Sequence, residues 1–299
     1  MSADGPSRAP ATPWLTAMPI AFVLLWATGF IVAKYAAPHA PPLTFLLYRF
    51  AGVIAVLLPI AWLTRAPWPA TARAWRDTAI AGVLLQALYL AGVWVAIAQG
   101  MPAGVSSLLV GAQPLLTALF AATVGERVSR VQWLGLVLGI VGVALVLSDR
   151  LTLQGVSLHA LLINAMALVG ITAGTLFQKR HGAQVDLRTG SIIQFGASFI
   201  VVLPFALAFE SLTVDPTPAF WGALAWSIVA LSVVAISLLL VMIRRGRATE
   251  VASLMYLTPA VTAVMAWLVF GERLGLLAWS GMAVTMAGVA LVVRRARER

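Results

Sequence analysis

Ten runs of mainly apolar residues follow one another along this chain with only short polar breaks between them, and no other feature limits the fold so tightly. They fall near residues 14–36, 42–63, 78–98, 103–123, 131–148, 156–177, 189–209, 219–243, 248–270 and 276–293. Crossing the hydrocarbon core of a bilayer takes about 20 such residues in a helix, because every backbone N–H and C=O must be paired inside the segment. A membrane-spanning barrel would show alternating strands of about ten residues instead. With 61% hydrophobic residues and a mean hydropathy of +0.97, a soluble domain could not cover its own surface. The expected fold is an all-α membrane protein with ten transmembrane helices. The first run is too long, and too weakly flanked by cleavage signals, to read as a removable leader. The lack of cysteine excludes disulfides and thiolate metal sites.

The net charge of +10 does not point to nucleic acid, because of where the charges lie. With the amino terminus in the cytoplasm, 16 of the 20 Lys and Arg fall in cytoplasmic segments. Lys34, Arg49, Arg150 and Arg273 fall on the other side or at helix ends facing it. The positive-inside rule then places both termini in the cytoplasm, and the Arg-rich, Ala-rich composition suits a bacterial inner membrane.

The chain also repeats itself. At an offset of 145 residues Gly29 meets Gly174, Lys34 meets Lys179, Phe50 meets Phe195, Pro59 meets Pro204 and Pro114 meets Pro259. At 146, Ser107 meets Ser253 and Gly125-Glu126-Arg127 meets Gly271-Glu272-Arg273. Each unit carries five helices, an odd number, so the second must enter the membrane from the opposite side. The domain reading follows: a tail at 1–13, a first five-helix repeat at 14–148, a linker at 149–155, a second, inverted repeat at 156–293 and a basic tail at 294–299. Inverted repeats suit alternating access, since a two-fold axis in the membrane plane lets one asymmetric arrangement be exchanged for its opposite. A duplication that only builds a stable bundle, as in a scaffold or receptor, is the alternative.

The segment "APPLTFLLYRFAGVIAVLLP" and the doubled "AGVSSLLVGAQPLLTALFAATVGERV" and "ATEVASLMYLTPAVTAVMAWLVFGERL" resemble the EamA domain of the drug/metabolite transporter superfamily. The resemblance runs from about Trp14 to Val293 and extends to the bacterial metabolite exporters, including those of the YddG type that carry aromatic and other amino acids. It implies a central cavity between helices 1, 3, 4, 6, 8 and 9. One departure is that Arg49-Phe50 becomes Gln194-Phe195 in the second half, so the arginine cannot act symmetrically.

All ten acidic residues fall in tails, loops or helix ends, so the spans offer no proton-carrying carboxylate. The Gly-Glu-Arg triplets read as structural: glycine relieves a left-handed helix cap, and glutamate sits near the start of the next helix. Lys34 and Arg49, both toward the periplasmic side, could attract a substrate carboxylate, although long basic side chains near helix ends usually snorkel to the interface, and that is the favoured reading. Trp26, Tyr89 and Tyr256 are aromatic residues at mid-depth. Uncharged polar residues there point into a cavity or against another helix, and Gln86, Ser107, Gln113, Asn164, Thr172, Ser232, Ser253 and Thr258 fit that description. Small-residue faces run through helix 4 (Ala103, Ser107, Gly111, Pro114, Ala118, Ala121) and helix 9 (Thr249, Ser253, Tyr256, Ala260, Ala263, Trp267). Pro114 and Pro259, at matching positions, are the expected bends and hinges. Gly135, Gly139 and Gly142 with Gly281, Thr285 and Gly288 read as packing stripes of a scaffold.

The expected substrate-binding residues are therefore Trp26, Gln86, Tyr89, Ser107, Gln113, Asn164, Thr172, Ser232, Ser253 and Tyr256, with Pro114 and Pro259 as hinges. No catalytic residue, metal site or cofactor is expected. The expected partners are a small-molecule substrate such as an amino acid and the lipid bilayer, with no nucleic acid; the sequence leaves the oligomeric state open, a monomer being compatible with it. The expected function is export of small metabolites by a secondary transporter. A multidrug or nucleotide-sugar carrier is the alternative within transport. A membrane enzyme would need an acid, base or nucleophile inside the bundle, and none assembles in the sequence.

Overall fold

The computed structural model describes residues 13–123, 129–149, 154–181, 185–235, 238 and 257–296, and every regular element among them is helical. In the first half these are α1 (Pro13–Ala36), α2 (Pro42–Leu63), α3 (Ala72–Gly82), a π-helical stretch π1 (Val83–Leu88), α4 (Tyr89–Ala98), α5 (Ala103–Gly111), α6 (Gln113–Thr123) and α7 (Arg130–Ser148). The second half holds α8 (Leu158–His181), α9 (Leu187–Phe209), α10 (Pro218–Ala225), a second π-helical stretch π2 (Trp226–Ala235), α11 (Thr258–Phe270) and α12 (Leu276–Ala296). Seven helices are long and apolar enough to cross a membrane, and three more apolar helices are shorter: Ala103–Thr117, Thr258–Phe270 and Leu276–Leu291.

Helix starts follow local chemistry. Pro42 and Pro218 sit in first turns, where the missing N–H costs nothing. Thr71, Asp186 and Thr217 accept hydrogen bonds from the first free N–H groups of α3, α9 and α10, and Ser129 forms a capping box with Gln132 on α7. The Thr71 cap begins the third helix at Ala72, earlier than the apolar run at 78. Asp77 therefore lies inside a helix, buried and paired with Arg73 and Arg76. Helix 4 does not bend but breaks. The chain leaves α5 at Ala112 (φ −76°, ψ 2°) and restarts at Gln113, with Pro114 in the first turn of α6. Pro259 likewise stands in the first turn of α11. Proline favours such a position because its fixed φ is already helical and its lost N–H has no partner to lose.

Large apolar side chains such as Trp62, Ile140, Leu162, Ile200, Phe209 and Leu276 face outward, while Thr44, Arg49, Asn164, Ser198 and Thr262 are buried. That distribution suits a hydrocarbon surround. The two halves pair with each other: α2 packs on its equivalent α9, α7 on its equivalent α12, and α5 on α11, the equivalent of α6. They run antiparallel. Glu210, after α9, accepts hydrogen bonds from Leu43 and Thr44 N–H at the start of α2, while Thr189 at the start of α9 donates to the Pro67 carbonyl beyond the end of α2. Asp149, after α7, accepts from Ala278 N–H at the start of α12. Other contacts are reciprocal as well, since α1 packs on π2 and α10 as α8 packs on π1 and α3.

The glycine stripes lie where α7 and α12 meet. A methyl group on Gly281 would sit 2.6 Å from the Gly142 carbonyl oxygen, and one on Gly288 would sit 2.6 Å from the Gly139 nitrogen. At these two glycines no side chain fits between the backbones, and Thr285 packs against the bare Cα of Gly142.

Candidate functional site

Arg49 occupies the seventh position after Pro42 in α2, about 10 Å along the helix at 1.5 Å per residue. Too deep to snorkel, it is 6% exposed and lies inside the bundle, which corrects the interfacial reading. One guanidinium N–H donates to Ser232 Oγ on π2 at 3.2 Å, and Ser232 Oγ in turn donates to the Ser227 carbonyl five residues back at 3.0 Å. The i to i+5 spacing is that of a π turn, which widens the helix and recurs at functional sites. Tyr89, buried at the junction of π1 and α4, lies within electrostatic reach of Arg49. The two π stretches therefore bring Tyr89 and Ser232, one from each half, to the same arginine. Arg49 Nε has no hydrogen-bond partner. Phe50, next along α2, stacks at a tilt on Phe195 of α9, and Phe45 stacks on Trp94.

A second polar group lies between α5 and α8. Ser106 Oγ donates to Asn164 Oδ1 at 2.7 Å, whereas Asn164 Nδ2 is buried without a partner. The hydroxyls of Thr258 and Thr262 on α11 are also buried and unpaired. Orphaned polar atoms cost free energy unless water or a ligand reaches them.

A third cluster ties the two halves at one end of the bundle. Lys34, at the end of α1, forms an ion pair with Glu272, and its ammonium also lies 5.2 Å from the centre of the Phe270 ring. Glu272 accepts a further hydrogen bond from Ala103 N–H, the first residue of α5. Gly271 takes the left-handed conformation (φ 66°, ψ 21°) that ends α11. The glycine behaves as its triplet suggested. The glutamate caps α5 of the other half rather than the helix that follows it. Nearby at the same end, His39 contacts Asp215 at 3.4 Å and Thr44 Oγ donates to Glu210 at 2.7 Å.

The remaining expected site residues are dispersed. Ser107 turns to its own helix and donates to the Gly104 carbonyl, and Thr172 donates to the Leu168 carbonyl. Gln113 reaches across to Thr175 Oγ1 at 3.0 Å. Trp26 packs on Phe22 in a separate apolar cluster with Met18 and Ala235. Gln86 is half-buried on π1. Ser253 and Tyr256 lie outside the described residues. Arg49, Ser106, Thr262 and the Lys34–Glu272 pair were not among the expected site residues; the one sequence signal for Arg49 was a lone charge deep inside an apolar run. Among the described residues no group of three or more His, Asp or Glu could hold a metal ion.

Known proteins resemble this architecture along its whole length. The EamA-like transporter family matches residues 13–148 and again 158–294. The uncharacterized inner membrane transporter YedA of Escherichia coli K12 is 27% identical over 272 residues, covering 91% of this chain and 88% of that protein. A probable amino-acid metabolite efflux pump of Salmonella typhimurium is 26% identical over 288 residues, covering 91% and 92%. One solved crystal structure superposes with a TM-score of 0.64 at 19% identity, spanning 96% of this chain and 99% of the other, a likeness of fold. The two matched repeats account for the paired antiparallel helices, and the chain belongs to the EamA-like transporter family: it is a membrane transporter, not an enzyme.

Proposed function

We propose that the chain exports small metabolites, foremost amino acids with apolar or aromatic side chains, by alternating access through ten spans arranged as two inverted repeats in a bacterial inner membrane. The observation that carries this reading is the antiparallel pairing of α2 with α9, α5 with α11 and α7 with α12. Such pairing relates the halves by a two-fold axis across the helices, which is the symmetry that alternating access requires. With both termini cytoplasmic, the Lys34–Glu272 and Thr44–Glu210 contacts tie the periplasmic ends. This arrangement is then the state closed toward the periplasm. The break at Ala112 and the start of α11 at Pro259 lie against each other, since a methyl on Gly111 would sit 3.1 Å from Pro259 Cγ. They give α5 and α11 a point at which to change angle.

The amino-acid class rests on the name of the efflux-pump relatives. Each described carboxylate has a partner at a helix start or a basic side chain, so coupling to protons through a buried acid has no support here, and the substrate runs down its own gradient. Counterflow of labelled leucine, phenylalanine and threonine into liposomes holding the purified protein tests the reading. Exchange that persists with the proton gradient collapsed is the expected result. No exchange of any of the three removes the amino-acid assignment.

A further inference from the structure

We propose that Arg49 is the anchor for a single carboxylate on the transported molecule, an inference that rests on the transport reading and names the chemistry its substrate must carry. A guanidinium taken out of water costs several kcal/mol unless an anion and hydrogen bonds replace its hydration. Inside a membrane span such a group needs a partner, and its partner is its function.

The described residues do not supply that partner. Asp77 and Asp186 pair with neighbouring arginines, Asp215 meets His39, and Glu272 holds Lys34. Glu210 and Asp149 cap α2 and α12. What Arg49 does contact is neutral: Ser232 accepts one N–H, and Nε points at no acceptor. Ser232 already spends its own proton on the Ser227 carbonyl, so its oxygen is fixed as an acceptor and orients the guanidinium. An orphaned Nε–H on a positioned planar fork fits the two oxygens of a carboxylate.

The repeat makes the site single. The equivalent of Arg49 in the second half is Gln194, a neutral group whose amide contacts Gln178 at 3.4 Å. Phe50 and Phe195, the residues that follow them, meet with ring centroids 5.6 Å apart. A single cation suits a monocarboxylate. A phosphate dianion would call for a second cation, and the nearest basic side chain of α1, Lys34, is already paired.

The test uses the purified full chain in detergent and follows its melting temperature with L-phenylalanine, L-leucine and phenylpyruvate, and with the neutral L-phenylalaninamide and L-leucinamide. At least one acid should stabilise the wild type with an affinity at least about tenfold above its amide, the loss expected for a charged hydrogen bond. Arg49→Gln should erase that preference. Arg49→Lys, which keeps the charge without the fork, should weaken the acids by about tenfold or less. Where Arg49→Gln does not fold, the lysine variant decides, and wild-type affinity for the acids in it overturns the anchor. Equal binding of acid and amide, or no binding of any acid, overturns it as well. Counterflow separates the two readings. Amino acid exchange undiminished in Arg49→Gln removes the anchor and leaves the transporter, whereas Arg49-dependent binding of phenylpyruvate without amino acid exchange keeps the anchor and removes the amino-acid assignment.

Discussion

Phe50 and Phe195 hold the same position in the two repeats and pack ring against ring, with centroids 5.6 Å apart. Both are buried. Equivalent residues that touch each other lie on the axis relating the halves, so this pair is shared by α2 and α9. Phe50→Ala and Phe195→Ala should each destabilise the protein by about 3 kcal/mol. The double variant should lose less than the sum, because the two substitutions empty one shared space. Thermal unfolding in detergent measures both, and strict additivity would place the rings in separate environments.

The end tied by Lys34 and Glu272 offers a cleaner test of motion, because the chain has no cysteine of its own. In the variant with Lys34→Cys and Glu272→Cys, a thiol-reactive bifunctional crosslinker with a reducible spacer should stop counterflow, and reduction should restore it. Crosslinked protein that exchanges substrate at the uncrosslinked rate shows that this end does not open during transport.

Pro114 and Pro259 stand in first turns, where alanine is tolerated. Alanine at either position should change stability by no more than about 1 kcal/mol. Counterflow should nevertheless slow, since alanine lets α5 run on into α6 and lets α11 extend toward its amino terminus. Wild-type exchange rates in both folded variants exclude a hinge at these breaks.

Asp186 lies between α8 and α9. The hydrogen bond from the Arg188 side chain, together with those from backbone N–H groups, holds its carboxyl below the usual carboxylate range. A depressed folded value means stability that is present at neutral pH and is lost as acid protonates the group. Asp186→Asn should therefore melt below the wild type at pH 7, and the gap should close as the pH falls below the ordinary carboxylate value. A gap independent of pH would assign the effect to packing.

Topology is open to direct measurement. Reporters fused after Arg299 and within residues 65–76 should both be cytoplasmic, and one near Asp215 periplasmic. A periplasmic carboxyl terminus contradicts the inverted arrangement of ten spans.

Much of the helical frame was legible because its signals are local. The bounds of α2 follow from an apolar run that opens at Pro42, and the α7–α12 contact follows from glycines at helical spacing on both. Where signals were polar or distant, reading failed. The first turns of α3 carry Arg73, Arg76 and Asp77, so an apolar window missed them. The fate of Arg49 depends on what π2 and the π1–α4 junction place around it, and nothing beside it in sequence carries that information. Glu272 caps a helix 169 residues away, so its local setting, just before a helix, suggested the wrong partner.

The contact of α7 with α12 has a mechanical meaning. Backbones that meet through bare glycines have no layer of rotamers to rearrange, so neither sliding nor separation there is soft. Under the proposed alternating access such a seam would serve as a fulcrum: the halves would turn about this line, with displacement small beside it and growing with distance, so that a slight tilt here would become a wide opening at the far side of the bundle.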